Sequence, residues 1–166
     1  SYARGGRYHP QEIDLNFVVM ETIRQRAKSF PDGIRLESKL SPDLPFLIAD
    51  PVQISEVIIG LLSNAVEALS EGGRITIETS RGEENGSPSE NLPPDLGQHL
   101  VLTVADNGCG MDHEILSRIF EPFFTTKFQG RGLGLAAVYG IVKNHGGEIS
   151  VDSEKGQGTS FKVYLP

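Results

Sequence analysis

The sequence predicts an α+β fold, a two-layer α/β sandwich in which about three helices lie on one face of a mixed sheet of about five strands or more. Three observations lead there. Helical and alternating periodicities succeed one another along the chain with no internal repeat. The runs at 74–79 and 99–105 both alternate as strands, and a polar stretch rather than a helix separates them, so antiparallel pairing is expected. The chain then closes on two more alternating runs around a glycine-bearing turn, the pattern of a hairpin.

Each element has its own signal. The first ten residues show no periodicity and begin without Met, so 1–12 reads as a linker remnant and 13–166 as the domain. Asp14 is a suitable cap for a first helix to about Ser29, with Val19, Met20, Ile23, Ala27 and Phe30 at helical spacing, and Pro31-Asp32-Gly33 ends it. Ile34 to Leu40 alternates as a half-buried strand, and Phe46 to Ala49 reads as a second, shorter one. Asp50-Pro51 pairs a capping carboxylate with a proline at the first helical position. The helix it opens carries Ile54, Val57, Ile58, Leu61, Leu62, Ala65, Ala68 and Leu69 in a near-complete apolar stripe that stops at Gly72-Gly73. Residues 82–97 are rich in Gly, Ser, Pro, Asn and Glu and read as a solvated excursion. A short helix fits His113 to Ile119. A longer one fits Leu133 to Asn144, with Leu135, Val138, Tyr139 and Val142 on one face and Gly146-Gly147 at its end. Glu148 to Ser153 and Thr159 to Leu165 make the hairpin.

Composition narrows the function. The 166 residues, 38% of them hydrophobic, suffice for one core. With 15 Lys and Arg against 22 Asp and Glu, the formal charge is -7, which removes the non-specific phosphate attraction of a nucleic-acid binder; no nucleic-acid partner is expected. The single cysteine, Cys109, cannot form an internal disulfide, no Cys/His cluster has zinc spacing, and no run reaches the roughly 18 apolar residues of a membrane span. A reducing, cytoplasmic setting with no membrane insertion of this domain fits best, and any membrane or sensory portion would lie outside it.

Four places carry chemistry. Asn64 falls about 20° outside the apolar arc of the most apolar helix, with Gly60 and Glu67 on the same flank. Its amide oxygen is a hard neutral ligand of the kind Mg2+ takes beside substrate phosphates, although a boundary Asn also serves simply to satisfy nearby backbone. Asp106-Asn107-Gly108-Cys109-Gly110 follows a strand directly; a pocket carboxylate there would accept a hydrogen bond from adenine's exocyclic amine, and an Asp-Asn-Gly turn is the plainer alternative. Gly130-Arg131-Gly132-Leu133-Gly134-Leu135 opens a helix, so backbone N–H groups and the positive end of its dipole face a possible phosphate chain. It lacks the spacing of a P-loop and the context of a dinucleotide fingerprint. Just upstream, Lys127 in Phe123-Phe124-Thr125-Thr126-Lys127 could reach a triphosphate as a point charge, or stand as an ordinary surface lysine.

Taken in order, with Gly158-Thr159-Ser160-Phe161 closing the series, these motifs resemble the catalytic and ATP-binding domain of sensor histidine kinases, and within it the nitrogen-regulator-like group. That domain belongs to the superfamily of gyrase, Hsp90-type chaperones and MutL, whose architecture is the Bergerat fold. The resemblance runs from about Ile13 to Pro166. It implies ATP and Mg2+ as cofactors, with Asn64 ligating the metal that bridges the phosphates and Asp106 taking the adenine amine. Gly108 and Gly110 would shape the base pocket. Lys127, Gly130, Arg131, Gly132, Leu133, Gly134 and Leu135 would attend the phosphates, 123–131 would form a lid over them, and Thr159 would join the hydroxyl and water network beside adenine. It further implies transfer of the γ-phosphoryl group to a histidine on a dimerisation and histidine phosphotransfer domain of the parent protein, and from there to a response regulator receiver domain. None of His9, His99, His113 and His145 stands in the acceptor pattern, so the nucleophile is expected elsewhere. Gly60 replaces the Asn usual in the family and the Glu base of hydrolytic relatives. That weighs against the alternative of a direct ATP hydrolase, and it is the sequence support for another alternative, a degenerate nucleotide-binding module.

Overall fold

The computed structural model of the chain describes residues 8–82, 99–122 and 134–166. In chain order the elements are β1 (Gln11–Ile13), α1 (Leu15–Arg26), β2 (Ile34–Leu40), β3 (Leu47–Ala49), α2 (Pro51–Ala68), β4 (Gly73–Arg81), β5 (Leu100–Asp106), α3 (His113–Leu116), α4 (Leu135–Asn144), β6 (Glu148–Glu154) and β7 (Gly158–Leu165). Five strands form one mixed sheet in the order β2-β4-β5-β7-β6. Its pairs are antiparallel except β2 with β4, which run parallel. The expected antiparallel pairing of β4 with β5 and the terminal hairpin of β6 with β7 are both present.

Alternation fixes which face of the sheet meets the helices. Ile75 and Ile77 of β4, Leu100, Leu102 and Val104 of β5, and Phe161, Val163 and Leu165 of β7 are all buried, while Thr76, Glu78, Thr103 and Lys162 between them are not. Against that face lies α2, flanked by α1 and α4. Ile54, Val57, Ile58, Leu61, Leu62 and Ala65 are each at most 2% exposed, as the stripe predicts, and burying each of the Ile, Val and Leu side chains contributes about 1.5–3 kcal/mol. Asp50 caps α2 through Oδ1, which accepts the N–H groups of Val52 (2.9 Å) and Gln53 (3.2 Å). The helix ends at Ala68, one turn before the glycines, and Gly72 and Gly73 supply positive φ in the turn to β4.

Several boundaries and faces differ from the sequence reading. Residues up to 12 are not all linker: Gln11 and Glu12 pair with Ala49 and Ile48 in a small second sheet, and the His9 N–H donates to Asp50 Oδ2 (2.9 Å). A three-residue strand that finds its partner about 36 positions away leaves no local pattern to read. In α1 the buried face is Leu15, Val18, Val19 and Thr22; Met20 is half exposed, because this helix has apolar residues on more than one side and periodicity alone does not choose among them. In α4 Ile141 takes the core position expected of Tyr139, which lies at the surface against the Phe120 ring. The short helix stops at Leu116, although Ile119 beyond it is buried. The excursion at 83–97 lies outside the described residues. Among the described residues, no helix is long and apolar enough to cross a membrane.

Candidate functional site

The core face of the sheet does not stay apolar to its end. Cross-strand partners share a face, and the register sets Ile75, Asp106, Thr159 and Ser153 in one lateral row across β4, β5, β7 and β6. Ile75 is fully buried hydrocarbon, and its three neighbours in the row are a carboxylate and two hydroxyls. Hydrogen-bonding capacity thus gathers at the edge of the helix-facing side, where β5 gives way to the loop after Asp106.

That loop is held from both ends. Asp106 Oδ1 accepts the Gly108 N–H at 2.8 Å, and Asn107 Oδ1 accepts the Arg74 N–H at 2.7 Å. The Cys109 N–H donates to the Ala68 carbonyl at the end of α2 (3.2 Å), while the Cys109 carbonyl accepts from Gly156 in the β6–β7 turn (2.7 Å). A Cβ on Gly108 would run into the Ala68 carbonyl, and one on Gly110, whose φ is +68°, into the Glu154 carbonyl. These two glycines are therefore required by the packing of the loop between α2 and the hairpin, which is how they shape what lies beside Asp106.

The contact with Ala68 brings Asp106 and Asn64 into one region. Asn64 is one turn earlier on α2, about 6 Å along the axis, and half-buried. Across α2 lies α4, whose N-cap is Gly134. Gly134 is exposed, has an ordinary φ of −71°, and has no heavy atom of the described residues within 4 Å of where a Cβ would be, so the described structure gives no steric reason for glycine there. Leu135 turns into the core at 5% exposure and anchors the helix start. Lys127, Gly130, Arg131, Gly132 and Leu133 lie outside the described residues.

Electrostatics single out Asp106. Burial raises its pKa above the ordinary carboxylate value, and the main-chain N–H groups of Gly108 and Thr159 offset part of that rise. A carboxylate kept partly out of water at a strand end is a strong, directional acceptor. Thr159 is 5% exposed, and its Oγ1 lies 2.8 Å from Ser153 Oγ. Ser153 also accepts the Met111 N–H at 2.8 Å, which fastens the far side of the loop to β6. Sequence reasoning passed over Ser153. The available signal was a hydroxyl at the inward position that follows Ile149 and Val151 in an alternating strand.

Among the described residues no three His, Cys, Asp or Glu side chains gather as a metal cluster. The Asn64 amide oxygen is a hard neutral ligand, a donor that suits Mg2+ shared with phosphates better than a metal that needs a protein cage. An apolar groove of about 580 Å³ between α1 and α2 is lined by Phe17, Val52 and Ile59 and by none of these site residues.

Residues 49–166 match the model of the family described as histidine kinase-, DNA gyrase B-, and HSP90-like ATPase. The sensor kinase CckA of Brucella abortus is 38% identical over all of this chain, which spans 18% of that protein. Sporulation kinase E of Bacillus subtilis is 35% identical over 94% of the chain, spanning 20% of the relative. The chain is thus a fifth or less of the length of these two relatives. Among solved structures, the nucleotide-free catalytic domain of histidine kinase ThkA superposes with a TM-score of 0.77 at 28% identity, covering 95% of both chains. Full-length ShkA in complex with AMPPNP gives 0.77 at 26% identity over 96% of this chain and 31% of its own.

Proposed function

Because this chain belongs to the histidine kinase-, DNA gyrase B- and HSP90-like ATPase family and is homologous to sensor kinases, we propose that it binds Mg-ATP and donates the γ-phosphoryl group to a histidine on another domain of its parent protein. The observation that carries the reading is the row in which Asp106 and Thr159 end the core face with a carboxylate and a hydroxyl, beside a loop whose Cys109 N–H meets the Ala68 carbonyl one turn of α2 after Asn64. Asp106 accepts the adenine amine, with Thr159 beside it. Asn64 supplies the protein ligand to Mg2+, which neutralises phosphate charge during transfer. The open N-terminus of α4 at Gly134 and Leu135 receives the phosphates, together with Gly130, Arg131, Gly132 and Leu133, and Lys127 adds a cation. The chain's own part is positioning and electrostatic stabilisation, with little covalent chemistry.

The acceptor histidine belongs to a dimerisation and histidine phosphotransfer domain, and a response regulator receiver domain takes the phosphoryl group next; both act on the cytoplasmic side. Two of this chain's four histidines are engaged or buried within the fold, which favours an acceptor outside it. His145 Nδ1 is bonded to the Ile141 carbonyl and its Nε2 accepts the Asp50 N–H, and His99 is buried. Gly60, buried within α2, offers no base to activate water, which weighs against steady hydrolysis.

Calorimetric titration with a non-hydrolysable ATP analogue, with and without Mg2+, tests the reading. Wild type should bind in both conditions and more tightly with the metal, and Asn64→Ala should lose the Mg2+ enhancement while keeping metal-free binding. Equal loss in both conditions removes Asn64 as a ligand. Adding back a hairpin domain and following ³²P transfer tests the kinase step, and steady phosphate release by the chain alone would favour a hydrolase.

A further inference from the structure

Ser153 sits in β6 at the end of the lateral row, paired with Thr159, which in turn pairs with Asp106, the adenine amine's expected partner. Its hydroxyl makes three contacts: it accepts the Met111 N–H at 2.8 Å, donates to the Gly158 carbonyl at 3.1 Å, and lies 2.8 Å from Thr159 Oγ1. A serine hydroxyl has one proton and two lone pairs. The Gly158 carbonyl can only accept, so it takes the proton; the Met111 N–H can only donate, so it takes one lone pair. All three contacts are satisfied together only when the remaining lone pair takes the Thr159 hydroxyl proton.

With its single proton committed to Ser153, Thr159 Oγ1 presents only lone pairs to whatever lies beside it. Asp106, its cross-strand partner, is an acceptor as well. Asp106 and Thr159 together then present acceptors, which suits a purine carrying an exocyclic amine at its 6-position, directly or through a donating water. A purine with a 6-oxo group would set acceptor against acceptor, and mismatched buried polar groups are what give strong discrimination.

We propose that Ser153 is a positioning residue for base selection, orienting the Thr159 hydroxyl so that the site takes 6-amino purine nucleotides and rejects 6-oxo ones. The inference rests on the adenine-nucleotide reading above and assigns the discrimination to a residue that does not contact the base. Removing the Ser153 hydroxyl frees the Thr159 proton to turn outward and donate, which a 6-oxo group would welcome.

The test compares ATP and inosine 5′-triphosphate binding, each with Mg2+, by calorimetry on wild type, Ser153→Ala and Ser153→Thr, with melting temperatures alongside. Wild type should prefer ATP. In Ser153→Ala that preference should narrow by about five-fold, the scale of one reoriented hydrogen bond, with inosine triphosphate holding or gaining affinity. Ser153→Thr keeps the hydroxyl on a strand position that suits a β-branched residue, and should restore the wild-type ratio. An unchanged ratio in Ser153→Ala, or equal loss of both nucleotides, overturns the proposal and leaves ATP binding standing. Failure of wild type to bind ATP overturns the nucleotide reading and this inference together. If Ser153→Ala does not fold, Thr159→Val decides the same point, because it removes the hydroxyl whose direction is at issue: the preference should again narrow, and an unchanged ratio overturns the proposal.

Discussion

Replacing Asp106 by Asn should weaken nucleotide binding and stabilise the fold at the same time. One carboxylate oxygen is engaged with the Gly108 N–H at 2.8 Å. An asparagine that keeps that bond through its amide oxygen turns its NH2 group toward the ligand, so a donor meets the adenine amine where an ionised acceptor stood. The loss is that of a hydrogen bond to a charged group, about 2 kcal/mol, or roughly a thirty-fold rise in Kd. Stability should move the other way. Burial raises the Asp106 pKa in the folded state, so the ionised side chain disfavours folding; whatever stability the acid form contributes is complete below the ordinary carboxylate value, about 4, and is lost as pH rises through the raised folded value. The neutral Asn escapes that loss, and its advantage over wild type should grow with pH and then level off. Calorimetric titration with ATP and denaturant melts across pH measure the two effects. Unchanged affinity would remove Asp106 from the base pocket, and weaker binding accompanied by a less stable fold at neutral pH would refute the argument that burial disfavours the ionised carboxylate.

Two further changes separate folding from function. Gly134→Ser places a good N-cap at ordinary φ, with no atom of the described residues within 4 Å of its Cβ, so the fold should gain a few tenths of a kcal/mol, as read by thermal melting. If phosphates lie against the start of α4, the added side chain should cost about 1 kcal/mol of ATP affinity by calorimetry, and no cost would move the phosphate site elsewhere. Asp50→Ala should destabilise by about 1–2 kcal/mol through loss of the α2 cap, seen in urea melts. Burial by itself would raise the Asp50 pKa, but the N–H groups of His9, Gln53 and Val52, with His145 nearby, outweigh it and hold the pKa low; its contribution is therefore present above the ordinary carboxylate value, about 4, and lost as pH falls through the lowered one, and the gap between wild type and variant should close in acid.

Much of this protein was determined by local sequence. The α2 stripe, its Asp50-Pro51 start and the β6–β7 hairpin depend on periodicity and capping within a few residues, and these read correctly because each is a local free-energy choice. The candidate site drew attention for a related reason: Asn64 is a polar residue in the most apolar helix and Asp106 ends an apolar strand, whereas Thr159 was named only through the resemblance to the family. Tertiary structure decided what depends on distant partners. It recruited Gln11 and Glu12 into a strand, chose Val18 over Met20 for the core, and ran β2 parallel to β4. It also aligned Asp106, Thr159 and Ser153, from three strands and about fifty residues of chain, in one row. Strand register is set by pairing between segments, and no single segment's pattern contains it, so the direction of the Thr159 proton is a property of the folded sheet alone.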